Sequence, residues 1–222
     1  MIKIRLSACA IAMAAVAGLY LATASPATAG ANLLSNGSFE DTPAPAGSFT
    51  DLTAGQTMGA WTITNGSVDL INGYWQAEDG TQSVDMSGLD AGTIAQTVGT
   101  NAGQEYQLSF WMAGNTDGGN AVKSLTSLIN GQDVAGSPFL FNSAGQSKSD
   151  MGWTEYSYDF VSAGGPTTVS FQSNEQNPYG PALDNVSLKA VPEASTLVLF
   201  GLLLVGGSIV LIRKRSTRSI EG

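Results

Sequence analysis

An all-β jelly-roll sandwich is the fold this sequence predicts for residues 30–190, and three observations predict it. Apolar and polar residues alternate in short runs, no stretch keeps a helical period, and Asn-Gly or Asp-Gly pairs punctuate the runs. The clearest run is 105–112, where Tyr106, Leu108, Phe110 and Met112 share one face and Gln107, Ser109 and Trp111 take the other. Tyr156, Tyr158 and Phe160 alternate with Ser157 and Asp159, and Thr167, Val169 and Phe171 alternate in the same way. Runs at 61–64, 67–71, 82–86, 93–98, 122–129 and 185–189 bring the expected total to about ten short strands. Asn36-Gly37, Asn65-Gly66, Asn72-Gly73, Asp79-Gly80 and Asn130-Gly131 supply turns that accept positive φ. Residues 47–59 read as an irregular excursion.

The two ends read as addresses rather than as fold. Lys3 and Arg5 precede an apolar stretch at 8–22 and the small residues Ala27-Thr28-Ala29, so residues 1–29 are expected to be a secretory signal peptide. Cys9, the single cysteine, leaves with that signal, and the mature protein then has no disulfide. At the other end stand Val191-Pro192-Glu193 and three small residues (191–196), then an uncharged apolar run at 197–212. Arg213, Lys214 and Arg215 close it, ahead of a tail at 216–222. The run is about 24 Å long as a helix at 1.5 Å per residue, close to a bilayer core, and the basic cluster sets the tail on the cytoplasmic side.

That order resembles the PEP-CTERM sorting signal. The resemblance implies a bacterial protein processed by an exosortase, a membrane-embedded enzyme of hosts that make exopolysaccharide. Ala194 stands where the family most often has a second proline. The expected location is outside the cytoplasm, transiently anchored through 197–212, and then the cell surface or extracellular matrix.

Composition narrows the chemistry of what remains. Residues 30–190 hold sixteen of the eighteen acids and only Lys123, Lys148 and Lys189 as bases, a formal charge of −13. Such a surface repels phosphate, so no nucleic-acid partner is expected. The absence of histidine excludes Ser-His-Asp and Cys-His catalysis and histidine-bound zinc. Paired carboxylates are the remaining hydrolytic route, and no spacing selects a pair.

Two segments, Asn32-Leu33-Leu34-Ser35-Asn36-Gly37-Ser38-Phe39-Glu40 and Gly180-Pro181-Ala182-Leu183-Asp184-Asn185-Val186-Ser187-Leu188, resemble the opening and closing strands of galactose-binding-like jelly rolls. Between them Gly66 to Leu70, Tyr74-Trp75-Gln76, Asp79 to Asp85 and Ala113 to Gly119 follow in an order similar to the DUF642 group and its bacterial choice-of-anchor C branch. The resemblance implies a non-catalytic module that binds polysaccharide. It also implies a structural Ca²⁺ tying the terminal strands through Glu40 and Asp184, with Glu78 or Asp79 as a further ligand. The competing reading is that both carboxylates bond backbone amides without metal.

A sugar site needs aromatic platforms beside amide and carboxylate groups. Tyr74 and Trp75, in a polar turn, and Tyr179, between Pro178 and Gly180, are expected to be exposed. Trp111 is expected on an outer sheet face, whereas Trp61 and Trp153 are expected in the core. Asn115, Asp117 and Asn120 read as a solvated loop, and Lys123 as a partner for a sugar or an acid. Three functions are compatible with these residues: a polysaccharide-binding surface protein, a structural or adhesive matrix protein, and a carboxylate-dependent glycan hydrolase.

Overall fold

The computed structural model describes residues 30–192 apart from Asn120. The expected signal peptide, the apolar run 197–212, the basic cluster and the tail lie outside the described residues. Among those described, no helix is long and apolar enough to cross a membrane.

Thirteen strands are found among the described residues: β1 (Phe49–Thr53), β2 (Thr57–Met58), β3 (Trp61–Asn65), β4 (Ser67–Asn72), β5 (Gln82–Asp85), β6 (Thr93–Thr100), β7 (Glu105–Gly114), β8 (Val122–Ile129), β9 (Gln132–Asp133), β10 (Phe139–Asn142), β11 (Thr154–Val161), β12 (Gly165–Ser173) and β13 (Pro181–Ala190). They form two antiparallel sheets, as the alternation predicts. One runs β1-β4-β5-β13-β7-β11 and the other β10-β8-β12-β6-β3-β2, with β9 added to β8.

Period-2 alternation builds the core between them. Tyr106, Leu108, Phe110 and Met112 of β7 are all buried, and Val68, Leu70, Val84 and Leu183 extend the same inward face across β4, β5 and β13. Phe110 meets Phe139 of β10 edge-on at 5.1 Å and Phe171 of β12 at 5.0 Å, joining the two sheets. Trp61 is fully buried against Phe39 and Phe171, and its indole N–H donates to the Asn36 carbonyl.

In its strands the structure departs from the sequence reading at two segments. The excursion at 47–59 contains β1 and β2, which are edge strands of the two sheets. β1 is almost wholly exposed, so it lacks the apolar face that would have marked it. The opening segment 32–40 is not a strand. Asn36 and Phe39 have φ of 55° and 64°, which breaks extended geometry. The segment docks on β13 instead through Leu33 N–H to the Leu188 carbonyl and Val186 N–H to the Gly37 carbonyl. The Asn32 side chain copies a strand's backbone, accepting from Leu188 N–H at 2.9 Å and donating to the Val186 carbonyl at 3.0 Å. A Cβ at Gly37 would collide with the Val186 carbonyl, so glycine permits this approach.

Candidate functional site

Register decides what the outer face of the six-stranded sheet presents. Phe49, Ile71 and Ser83 are aligned across β1, β4 and β5, and one step along Asp51, Asp69 and Asp85 are aligned in the same way. Both rows point away from the core because they alternate with Val68, Leu70 and Val84. The segment 73–81, which links β4 to β5, folds back over this face. Trp75 packs there, only 4% exposed, with its indole N–H donating to Ser83 Oγ at 2.8 Å.

The result is a cavity of about 220 Å³ lined by Tyr74, Trp75, Tyr179 and Phe49 and by Asp51, Asp69, Asp85, Asn115 and Asp117. Tyr179 and Phe49 are 40% and 49% exposed at its rim. Buried Lys123 donates to the Tyr179 carbonyl at 2.6 Å and so fixes the backbone of that rim residue. Tyr74 donates its hydroxyl to Asp117 at 2.6 Å, and Lys148 pairs with Asp117 at 3.0 Å while lying 3.7 Å from the Tyr74 ring centre. Asn115 is buried and donates to Asp85 at 2.7 Å. Thus two residues of the loop expected to be merely solvated hold the acids and rings of the cavity in place.

Burial pushes Asp85 up to about 7, against amide donors from Ser87 and Gly180 and the Asn115 side chain. Asp69 rises to about 6, from burial first and then from the charge of Asp51 beside it. For Asp117, slight burial is outweighed by the Tyr74 hydroxyl and by Lys148, so its carboxyl lies below the usual range.

Tyr74, Trp75 and Tyr179, three of the aromatics named from the sequence, therefore meet in one place. The exposure expected of Trp75 is not found, because Ser83 draws the indole inward to form the floor, and one face of Tyr74 is covered by Lys148. Trp111 does lie on the outer face, but in a second, more polar groove with Trp153, Gln76, Glu78 and Asp150. Trp153 is half-buried there, packed against the margin of the core, with its indole N–H on the Gln76 carbonyl at 2.9 Å. The sequence reading missed Phe49, Asp51 and Asp69. Their signal was the outward parity of residues 49, 51, 69 and 71, which becomes visible once β1 is recognised as a strand.

Glu40 and Asp184 each grip the segment 73–81 or its junction with β5. Asp184, fully buried, accepts from the amides of Glu78 at 2.9 Å, Asp79 at 3.1 Å and Asn185 at 2.7 Å. Glu40 accepts from the amides of Thr81 and Gln82 and from the Thr81 hydroxyl. Among the described residues no three Asp, Glu, His or Cys side chains cluster for a metal. The carbonyls of Phe39, Glu40 and Thr42 do converge, at 3.3, 3.4 and 3.1 Å from Nε2 of buried Gln82, whose Oε1 has no partner. A half-turn of that amide would gather four oxygens, a set that suits a hard cation.

The chain is 30% identical over 165 residues to halomucin of Haloquadratum walsbyi, a match that covers 71% of this chain and 2% of that protein. Among solved structures it is similar to the CBM22-1 xylan-binding domain of Paenibacillus barcinonensis Xyn10C (TM-score 0.45, 19% identity, 76% of this chain and 99% of that one). It is also similar to a cyclase from Fischerella sp. TAU (TM-score 0.49, 13% identity, 74% and 98%). The family model described as protein of unknown function, DUF642, matches residues 32–189, and the chain belongs to that family.

Proposed function

We propose that this protein is a non-catalytic, exported surface or matrix module that binds polysaccharide in the cavity on its six-stranded sheet. One observation carries the reading: the adjacent Tyr74 and Trp75, with Tyr179 and Phe49 from distant parts of the chain, converge with amide and carboxylate groups on a single cavity. Rings take the apolar C–H faces of a sugar, and the polar groups take its hydroxyls. The cavity is smaller than the roughly 300 Å³ at which drug-sized sites begin, so it seats about one sugar unit and leaves the rest of a glycan on the surface.

Hydrolysis is the weaker reading on geometry. Asp51 and Asp69 are neighbours on one wall of the cavity, whereas a glycosidase needs its two carboxylates on either side of the bond that breaks.

Titration of the protein with its host's exopolysaccharide and with a panel of β-glucans and pectins tests the proposal. Saturable binding to one glycan is expected, weakened at least tenfold by Tyr179→Ala. That side chain is exposed enough to be truncated without unfolding the domain. Affinity unchanged in the variant would refute the site. No glycan bound by the folded protein would favour the structural or adhesive reading.

The same proposal includes export through residues 1–29 and exosortase processing at 191–215, supported by the order of motif, apolar run and basic cluster. It also includes a structural Ca²⁺, supported by the unpartnered Oε1 of Gln82 beside three carbonyls. Phe39, Glu40 and Thr42 would hold the ion through their carbonyls and Gln82 through Oε1, tying the opening segment to β5.

A further inference from the structure

Two of the cavity's carboxylates are left unbalanced, although a neutral sugar would not require that. Asp117 has Lys148 and the Tyr74 hydroxyl, and Asp85 has three donors. Asp51 and Asp69 have no comparable partner. The one ion pair among the described residues is Lys148 with Asp117, and no described group donates a hydrogen bond to either carboxylate. Yet they stand directly opposite each other on β1 and β4, an arrangement of like charges that weakens a strand pair.

Their oxygens also converge. A Cβ added at Gly88 would meet Oδ1 of Asp51, Oγ of Ser67 and Oδ1 of Asp69, so the two carboxylate oxygens and a hydroxyl converge beside the glycine. Phe49 and Tyr179 border the cavity and offer ring faces that attract cations. A bare divalent ion would use the carboxylates and leave the ring faces idle. A compact ammonium on a ring-shaped body uses all of it: charge on the carboxylates, ring faces on the aromatics.

We propose that the cavity selects a cationic amino sugar, a hexosamine unit with a free amine, whose ammonium sits between Asp51 and Asp69. This rests on the polysaccharide reading above and gives it a ligand class. The −13 charge of residues 30–190 acts in the same direction, because it draws a polycationic glycan towards the surface.

Calorimetric titration of the protein with four probes at one pH and ionic strength tests this: a glucosamine tetramer, its fully N-acetylated counterpart, a β-1,4-glucose tetramer and tetralysine. The glucosamine tetramer is expected to bind at least tenfold tighter than either neutral tetramer. Asp51→Asn and Asp69→Asn are each expected to remove most of that advantage, while Tyr179→Ala weakens every sugar. Because Asp69→Asn relieves repulsion, its melting temperature should equal or exceed the parent's, which separates lost binding from lost folding. Neutral tetramers binding as tightly as the amine, with sensitivity to Tyr179→Ala, would overturn the charge selection and leave the glycan site standing. Amine binding indifferent to both asparagine variants would also overturn it. If only tetralysine bound, and bound through Asp69, the partner would be a basic protein. Failure of all four probes would overturn the amino-sugar assignment, while the site itself stands or falls by the glycan panel above.

Discussion

Asp69, Asp85 and Asp184 set how stability responds to pH. Burial disfavours their charged forms and pushes their carboxyls from an ordinary value of 3.8 up to about 6 for Asp69 and about 7 for Asp85 and Asp184. Between about pH 4 and 7 the folded state therefore holds protons that the unfolded chain has released, so stability falls as pH rises through that window and levels off above it. Glu40 and Asp117 are shifted downward and act oppositely, losing their contribution only as pH drops below the ordinary carboxylate range. The melting temperature is expected to be higher at pH 5 than at pH 8, and Asp69→Asn should shrink the difference. A melting temperature that is flat or rises over that interval would contradict the burial of these three carboxyls. Single residues were the least legible part of the sequence. Tyr74 and Trp75 look alike in a polar turn, and the inward turn of Trp75 depends on Ser83, a hydroxyl that only β-pairing brings beneath it.

The decisive element is the segment 73–81. Asp184 holds its middle and Glu40 its end, so both acids fix the loop that lies between the cavity and the Trp111 groove. The calcium proposal belongs to this element as well, since Gln82 begins β5 where the segment ends. Excess Ca²⁺ is expected to raise the melting temperature by several degrees over excess chelator, by mass action on the folded state. Identical transitions would mean that Gln82 ties the three carbonyls by its amide alone. Strands with strict alternation, such as β7 and β12, were readable because one face is core and the other solvent. β1 was not, since an exposed edge strand carries no such contrast, and the strand that supplies Phe49 and Asp51 to the site was hidden with it.

At the scale of the whole molecule, charge decides the kind of partner. At −13, residues 30–190 suit soluble or cationic polymers rather than phosphate. The sorting proposal predicts that protein recovered from host cells has lost residues C-terminal to the 191–196 motif when an exosortase is present and retains them when it is deleted. Intact mass by spectrometry reads this directly, and equal masses in the two strains would leave 197–212 as an ordinary anchor. The sandwich was legible from the sequence because it follows from periodicity. The cavity was legible only in part, because it arises from cross-strand register and from a loop folded onto a sheet.

Four tryptophans mark four positions in this account: Trp61 in the core, Trp75 beneath the cavity, and Trp111 with Trp153 in the neighbouring groove. Their indole N–H signals, assigned by Trp→Phe substitution and followed by NMR during titration with the tightest-binding glycan, test the central claim most directly. The account predicts a saturable shift of the Trp75 signal with Trp61, Trp111 and Trp153 unmoved. Shifts confined to Trp111 and Trp153 would contradict it and transfer glycan binding to the groove on the other side of the loop.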